Sequence, residues 1–134
     1  MCGIAGFIDF NKKSKEKDLL AMSQTLFHRG PDGGDLQFFQ EHNFTLGLAH
    51  RRLAIIDITE SGKQPMLFNQ HWITFNGEIY NYKEIRSELS ALGHSFISDS
   101  DTEVILHAYT QWGEACVERF IGMFAFVIYD IQKN

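Results

Sequence analysis

The stretch His71-Trp72-Ile73-Thr74-Phe75-Asn76-Gly77-Glu78-Ile79-Tyr80-Asn81-Tyr82 changes its hydrophobic period midway. Residues 71–75 are aromatic and β-branched and read as a strand that ends at Asn76-Gly77. Between two strands, an Asn-Gly pair is the strongest short signal for a tight hairpin turn. No return strand follows. Asn81, with Glu84 three residues on, fits a capping box, and Tyr82, Ile85, Leu89 and Leu92 form one helical stripe before Gly93. Asn76 and Gly77 are therefore expected at a strand-to-helix junction. Ser100 and Glu103 repeat the capping device. Val104, Ile105, Ala108, Tyr109 and Trp112 then make the buried face of a second helix, closed by Gly113. Residues 124–129 read as a last strand.

Upstream of this stretch, residues 2–10 form an apolar run with two glycines, expected as a buried strand that approaches other backbone closely. A lysine-rich turn covers residues 11–17, and Ser14 is the expected N-cap of a helix carrying Leu19, Met22 and Leu26, stopped by Gly30-Pro31. Asp32-Gly33-Gly34-Asp35 reads as loop. Residues 36–39 and 44–49 read as a hairpin, residues 52–58 as a further strand and residues 59–65 as loop. Strands in succession, with helices grouped rather than alternating, predict an α+β domain built on antiparallel sheet.

A chain of 134 residues with 44% apolar and 22% charged residues supports one globular core. Its two cysteines cannot build a disulfide framework. Twelve Lys and Arg against seventeen Asp and Glu leave a net charge of −5, which repels phosphate backbones and disfavours unspecific nucleic-acid binding. The longest apolar run, residues 120–129, is about half of the roughly 20 residues that a membrane-spanning helix needs. No basic leader precedes the first carboxylate, so the chain is expected in the cytoplasm. After Asp130 the sequence reads as entry to a turn whose partner strand should follow, so the chain is expected to be a piece of something longer.

Chemistry can start at Cys2. Removal of Met1, which a small second residue permits, leaves an amine and a thiol on one residue. An α-amino group titrates at about 7.7 to 8.0 and a free thiol near 8.5, so the amine can act as base for the sulfur, directly or through one water. Taken alone, Cys2 reads equally as a small apolar residue opening a strand, and Cys116, on an apolar stretch, reads only as core. A side-chain amide from Asn76 and a backbone N–H from Gly77 can converge on one developing oxyanion. One guanidinium of Arg51-Arg52 can hold a carboxylate in two parallel hydrogen bonds, against the ordinary reading of two solvated heads. His28-Arg29-Gly30-Pro31-Asp32-Gly33 is compatible with an ordinary helix end and turn, and Asp101 with a helix-start carboxylate. The six histidines, at 28, 42, 50, 71, 94 and 107, show no i, i+4 pair, so no metal is expected, and there is no glycine-rich phosphate loop.

In order along the chain, Cys2-Gly3-Ile4, HRGPDG (28–33), LAHRRLAIID (48–57), FNGEIYN (75–81), SDTEVIL (100–106) and GMFAFVIYD (122–130) resemble one family. These motifs are similar to those of class II glutamine amidotransferases, and most closely to the N-terminal glutaminase domain of glutamine-hydrolysing asparagine synthetases. The resemblance implies an N-terminal nucleophile hydrolase fold, an αββα sandwich of antiparallel sheets, incomplete at its C-terminal end. It implies that Cys2 attacks the amide of glutamine to give a thioester and ammonia, and that water then releases glutamate. It assigns the oxyanion hole to Asn76 and Gly77, the clamp on the substrate α-carboxylate to Arg52, groups near its α-ammonium to Glu78 and Asp101, and support of the N-terminal cysteine to Arg29. No cofactor is expected in this domain. ATP and magnesium are expected only in a synthetase domain, downstream or in trans, so residues 1–134 are expected to be the truncated N-terminal portion of a larger enzyme. A reading from another class stays open beside it: a catalytically silent fragment that serves as a binding or interaction module.

Overall fold

The structure, a computed structural model, describes residues 2–53 and 62–133. Strand β1 (Gly3–Asp9) leads through a turn to helix α1 (Glu16–Thr25), and strands β2 (Gly33–Gln40) and β3 (Thr45–Arg52) follow. A short strand β4 (Met66–Phe68) precedes β5 (His71–Ile79), then helices α2 (Tyr82–Ala91) and α3 (Asp101–Trp112), and strand β6 (Gly122–Asp130). These make two antiparallel three-stranded sheets, ordered β1-β3-β2 and β4-β5-β6. Helix α1 packs on the first sheet, α3 on the second, and β3 and β1 face β5, so the layers run helix, sheet, sheet, helix. This is the α+β architecture with antiparallel sheets expected from the succession of strands.

The larger core lies between the second sheet and its helices, where Ile73, Phe75 and Ile79 meet Ile85, Leu89, Val104 and Ile105. Helix α3 is buried from Thr102 to Ala108, hence its all-round apolarity broken only by Thr102, Glu103 and His107. A smaller cluster of Leu46, Leu48 and Tyr129, flanked by Phe39, Phe44 and Trp72, lies between the two sheets.

Several local expectations are corrected. β1 is an edge strand among the described residues, with Gly6 and Ile8 exposed, rather than a buried one. Ser14 does not cap α1: its backbone N–H and hydroxyl donate to the Asp9 carboxylate, while Asp18 accepts from the Lys15 N–H at the helix start. Those bonds from Ser14, with that from Asn11, hold Asp9 down to a pKa of about 2. Gly33 and Gly34 are strand, not loop, because they pair with Arg52 and Arg51 and the ladder overrides their weak propensity. β5 continues two residues past Asn76-Gly77, so that pair lies inside a strand, three residues short of the Asn81 helix boundary region, and pairs with Ala125 and Phe124. Asn81 sits at the start of α2 but its side chain does not cap it; its amide donates to the Arg119 carbonyl (2.9 Å) and accepts from the Ile121 N–H (2.8 Å). Ser100 does cap α3, accepting from Glu103 N–H at 3.2 Å. The strand expected over residues 52–58 falls mostly outside the described residues.

Candidate active site

Cys2 is half-buried at the start of β1, where Gly3 pairs with Arg51. Its sulfur accepts from the Leu53 N–H at 3.4 Å and lies 3.7 Å from the Leu53 carbonyl, and Arg29 Nε donates to the Cys2 carbonyl at 3.2 Å. The HRGPDG segment is thereby more than punctuation. A Cβ on Gly30 would collide with the Arg51–Arg52 backbone, and the Asp32 N–H donates to the Arg52 carbonyl at 3.1 Å, so the loop wraps the strand end that flanks the thiol. Arg51 is turned to α1, where its Nε donates to the Ser23 carbonyl and its guanidinium lies over the Phe27 ring. Arg52 points to the opposite face of the strand, the face of His50, and its charge reaches that ring.

A second group gathers on β5. Gly77 takes φ +151°, and a Cβ there would strike the Met123 carbonyl and the Phe124 backbone, so only glycine fits. Asn76 is half-buried and its Oδ1 is buried without a hydrogen-bond partner, which is uncommon for a buried polar atom and more common at functional sites. Glu78 is exposed. Asp101, at the first position of α3, accepts from the Ile79 N–H at 3.1 Å. Burial raises its carboxyl above the usual range, the nearby Glu78 charge adds to that, and the Ile79 and Thr102 bonds oppose it. Gln64, itself buried, accepts from the Phe75 N–H at 2.6 Å and donates to Thr102 Oγ1 at 3.1 Å.

The two groups are related by the contact of β3 with β5. Thr74 Oγ1 donates to the Ala49 carbonyl at 3.2 Å, and the next residues, His50 and Phe75, also meet. The strands therefore advance in the same sense across the sheet interface, towards Arg52, Leu53 and Cys2 on one and Asn76, Gly77 and Glu78 on the other. His50 is 2% exposed in that interface; burial, then the Arg52 charge, push its pKa down to about 4, so it is neutral at pH 7. A cleft of about 300 Å³ opens elsewhere between the sheets, beside Gly6, Leu48, Thr74 and Val127, and contains none of the seven expected site residues. Burial holds the Cys116 thiol up at about 11, in keeping with a core role. His50 and Gln64 were not singled out by the sequence, and neither spacing nor composition carries a signal for them.

Residues 1–134 match the sequence family described as glutamine amidotransferase domain. Glutamine-hydrolysing asparagine synthetase 3 of Bacillus subtilis is 44% identical over 140 residues, covering 100% of this chain and 22% of that protein. Asparagine synthetase 1 of the same organism is 45% identical over 138 residues, covering 97% and 21%. The Arabidopsis thaliana enzyme numbered 2 is 45% identical over 140 residues, covering 100% and 23%. The chain thus spans about a fifth of the length of these relatives. The solved structure of glutamine phosphoribosylpyrophosphate amidotransferase from B. subtilis, complexed with ADP and GMP, superposes with a TM-score of 0.75 at 21% identity over 96% of this chain and 35% of that one, a likeness of fold.

Proposed function

This chain belongs to the glutamine amidotransferase domain family, and from that premise we propose that Cys2, with its amino group freed by loss of Met1, hydrolyses glutamine to glutamate and ammonia for an asparagine-synthetase-type amidation. The thiol proton passes to the α-amine as sulfur attacks the amide carbon. The tetrahedral oxyanion is met by Asn76 and the Gly77 N–H, each such donor being worth on the order of 3 kcal/mol in the barrier. Collapse returns the proton to the leaving nitrogen, releases ammonia and leaves a γ-glutamyl thioester. Water, deprotonated by the same amine, attacks the thioester, and glutamate leaves as the thiol reforms. Every step uses a thiol, an amine and water, so the reaction asks for no cofactor.

Arg52 pairs with the substrate α-carboxylate, Asp101 and Glu78 with its α-ammonium, and Arg29 holds the Cys2 carbonyl. A fixed cation and fixed anions orient glutamine before attack, which is where much of such a rate enhancement arises. The observation that carries this reading is the seating of Cys2: its sulfur is held by Leu53 and its carbonyl by Arg29, at the strand end that bears Arg52. On the same reading residues 1–134 are the N-terminal portion of a larger enzyme, supported by the length of the relatives. ATP and magnesium then belong to a synthetase domain that takes up the ammonia, and the whole works in the cytoplasm.

Glutamate release from glutamine by the Met1-free protein tests the proposal. Release is expected, with loss in Cys2→Ala and in protein that retains Met1, because an amide nitrogen is no base. Activity that survives either change overturns the mechanism, and no release from the unsubstituted protein favours a silent module.

A further inference from the structure

We propose that Gln64 is a positioning residue for this site, its side-chain amide tying the strand that carries Asn76 and Gly77 to the helix that carries Asp101. The inference rests on the glutaminase reading and deepens it. Gln64 is 8% exposed, and both ends of its amide are used: Oε1 accepts from the Phe75 N–H at 2.6 Å, and Nε2 donates to Thr102 Oγ1 at 3.1 Å. Phe75 immediately precedes Asn76, and Thr102 immediately follows Asp101.

The ladder explains why a side chain is needed there. β4 pairs with β5 only at His71, Trp72 and Ile73, so beyond Ile73 that edge of β5 has no strand among the described residues to receive the Phe75 N–H. A buried N–H without a partner is costly, and Gln64 supplies the acceptor that a longer β4 would have given. Its other end then reaches the first turn of α3. Because Asp101 Oδ2 accepts from the Ile79 N–H, α3 is held to β5 at two heights, Phe75 and Ile79, and Asn76, Gly77 and Glu78 lie between them. One fixing would leave a pivot; two set the distance between the oxyanion donors and the ammonium-binding carboxylate. An amide offers an acceptor and a donor from one planar end at any pH, whereas leucine offers neither.

The test is steady-state glutamine hydrolysis by the intact, Met1-free protein. Gln64→Leu is expected to lower kcat at least about 10-fold and to raise KM, since a misplacement near 1 Å can cost up to about 100-fold in rate. Thr102→Val keeps the Phe75 bond and loses only the tie to α3, so KM is expected to rise severalfold with kcat within about threefold. Leu46→Ala, which loosens the smaller cluster between the sheets at the end of β3 opposite Arg52, is expected to lower Tm while the folded enzyme keeps its kcat and KM. A purely structural Gln64 would behave like that control, with Tm lowered and both constants unchanged, and this result overturns the inference. Should Gln64→Leu not fold, the KM of Thr102→Val decides alone. Failure of the glutaminase reading looks different: the unsubstituted protein then releases no glutamate, whereas intact release in both variants overturns the bridge and leaves that reading standing.

Discussion

Asp101 is drawn in two directions by its surroundings. Burial and the Glu78 charge favour its protonated form, while the Ile79 N–H, and on the proposed reading a substrate ammonium, favour the carboxylate. A carboxyl whose pKa is raised on folding gives its full stability below about 3.8, the unfolded value, and loses it as pH rises through the folded value. Asp101 therefore weakens the fold at neutral pH. Asp101→Asn keeps an oxygen for the Ile79 N–H and carries no charge, so at pH 7 its Tm is expected to equal or exceed that of the parent. Its glutamine KM is expected to rise about 10-fold or more, the scale of one hydrogen bond to a charged group. A lower Tm with unchanged KM would make Asp101 a structural residue. Asn76→Ala should act on the other constant, with kcat reduced roughly 100-fold and KM little changed, because an oxyanion donor is used only in the transition state. The sequence singles out both residues as types in a pattern, and these assays test the roles proposed for them. The raised carboxyl of Asp101 is not legible there, since it comes from burial under β5, which no local spacing records.

At the scale of elements, Asn81 shows where local rules stop. Asn followed by Glu at the third position reads as a capping box, and the helix does begin there, yet the side chain is taken by the Arg119 carbonyl and the Ile121 N–H nearly forty residues on. Both ends of the amide are used, so a better cap is no substitute. Asn81→Ala is expected to cost about 1 to 2 kcal/mol in urea unfolding, and Asn81→Asp, which can accept from Ile121 but cannot donate to Arg119, to recover only part of it. Full recovery by Asp would restore the capping reading. The same distinction separates the elements set within a few residues from those set across the sheets. The stripe of α2 up to Leu89, the stripe of α3 and the Ser100 cap depend on residues within one or two turns and are legible in the sequence, whereas Leu92, expected in the α2 stripe, is exposed past the helix end. The extension of β2 through Gly33-Gly34 and of β5 through Asn76-Gly77 depends on partners supplied by β3 and β6, and the three-residue β4 on a hairpin with β5, so propensity alone pointed elsewhere.

For the whole molecule, acid should act first on the interface between the sheets. His50 is buried there with Nε2 unpartnered, and its pKa near 4 means that the folded chain resists a proton the unfolded chain accepts from about pH 6.5 downward. Stability bound to a neutral histidine is present above the unfolded value and is lost as pH falls towards the folded one, here between about 6.5 and 4, to the extent of about 3 kcal/mol. His107, stacked on Phe68 and sharing an Nδ1 contact of 2.8 Å with His94, is lowered by burial despite Glu103 and adds in the same direction. The carboxylates fall in another window. Asp9, held at about 2, gives up its share only as pH drops below 4, and Glu103, which burial would raise but bonds from Ser98 and Ile97 hold low, follows it. Asp101 works against the histidines, gaining stability as pH falls, so the raw acid limb mixes both signs. The difference between parent and His50→Gln cancels Asp101 and isolates the ring. Urea unfolding at pH 7 and pH 4.5 should show the parent losing more stability than the variant by on the order of 2 to 3 kcal/mol. Equal losses in the two proteins would mean that protonation of His50 is not what destabilises the fold and that the destabilising protons enter elsewhere.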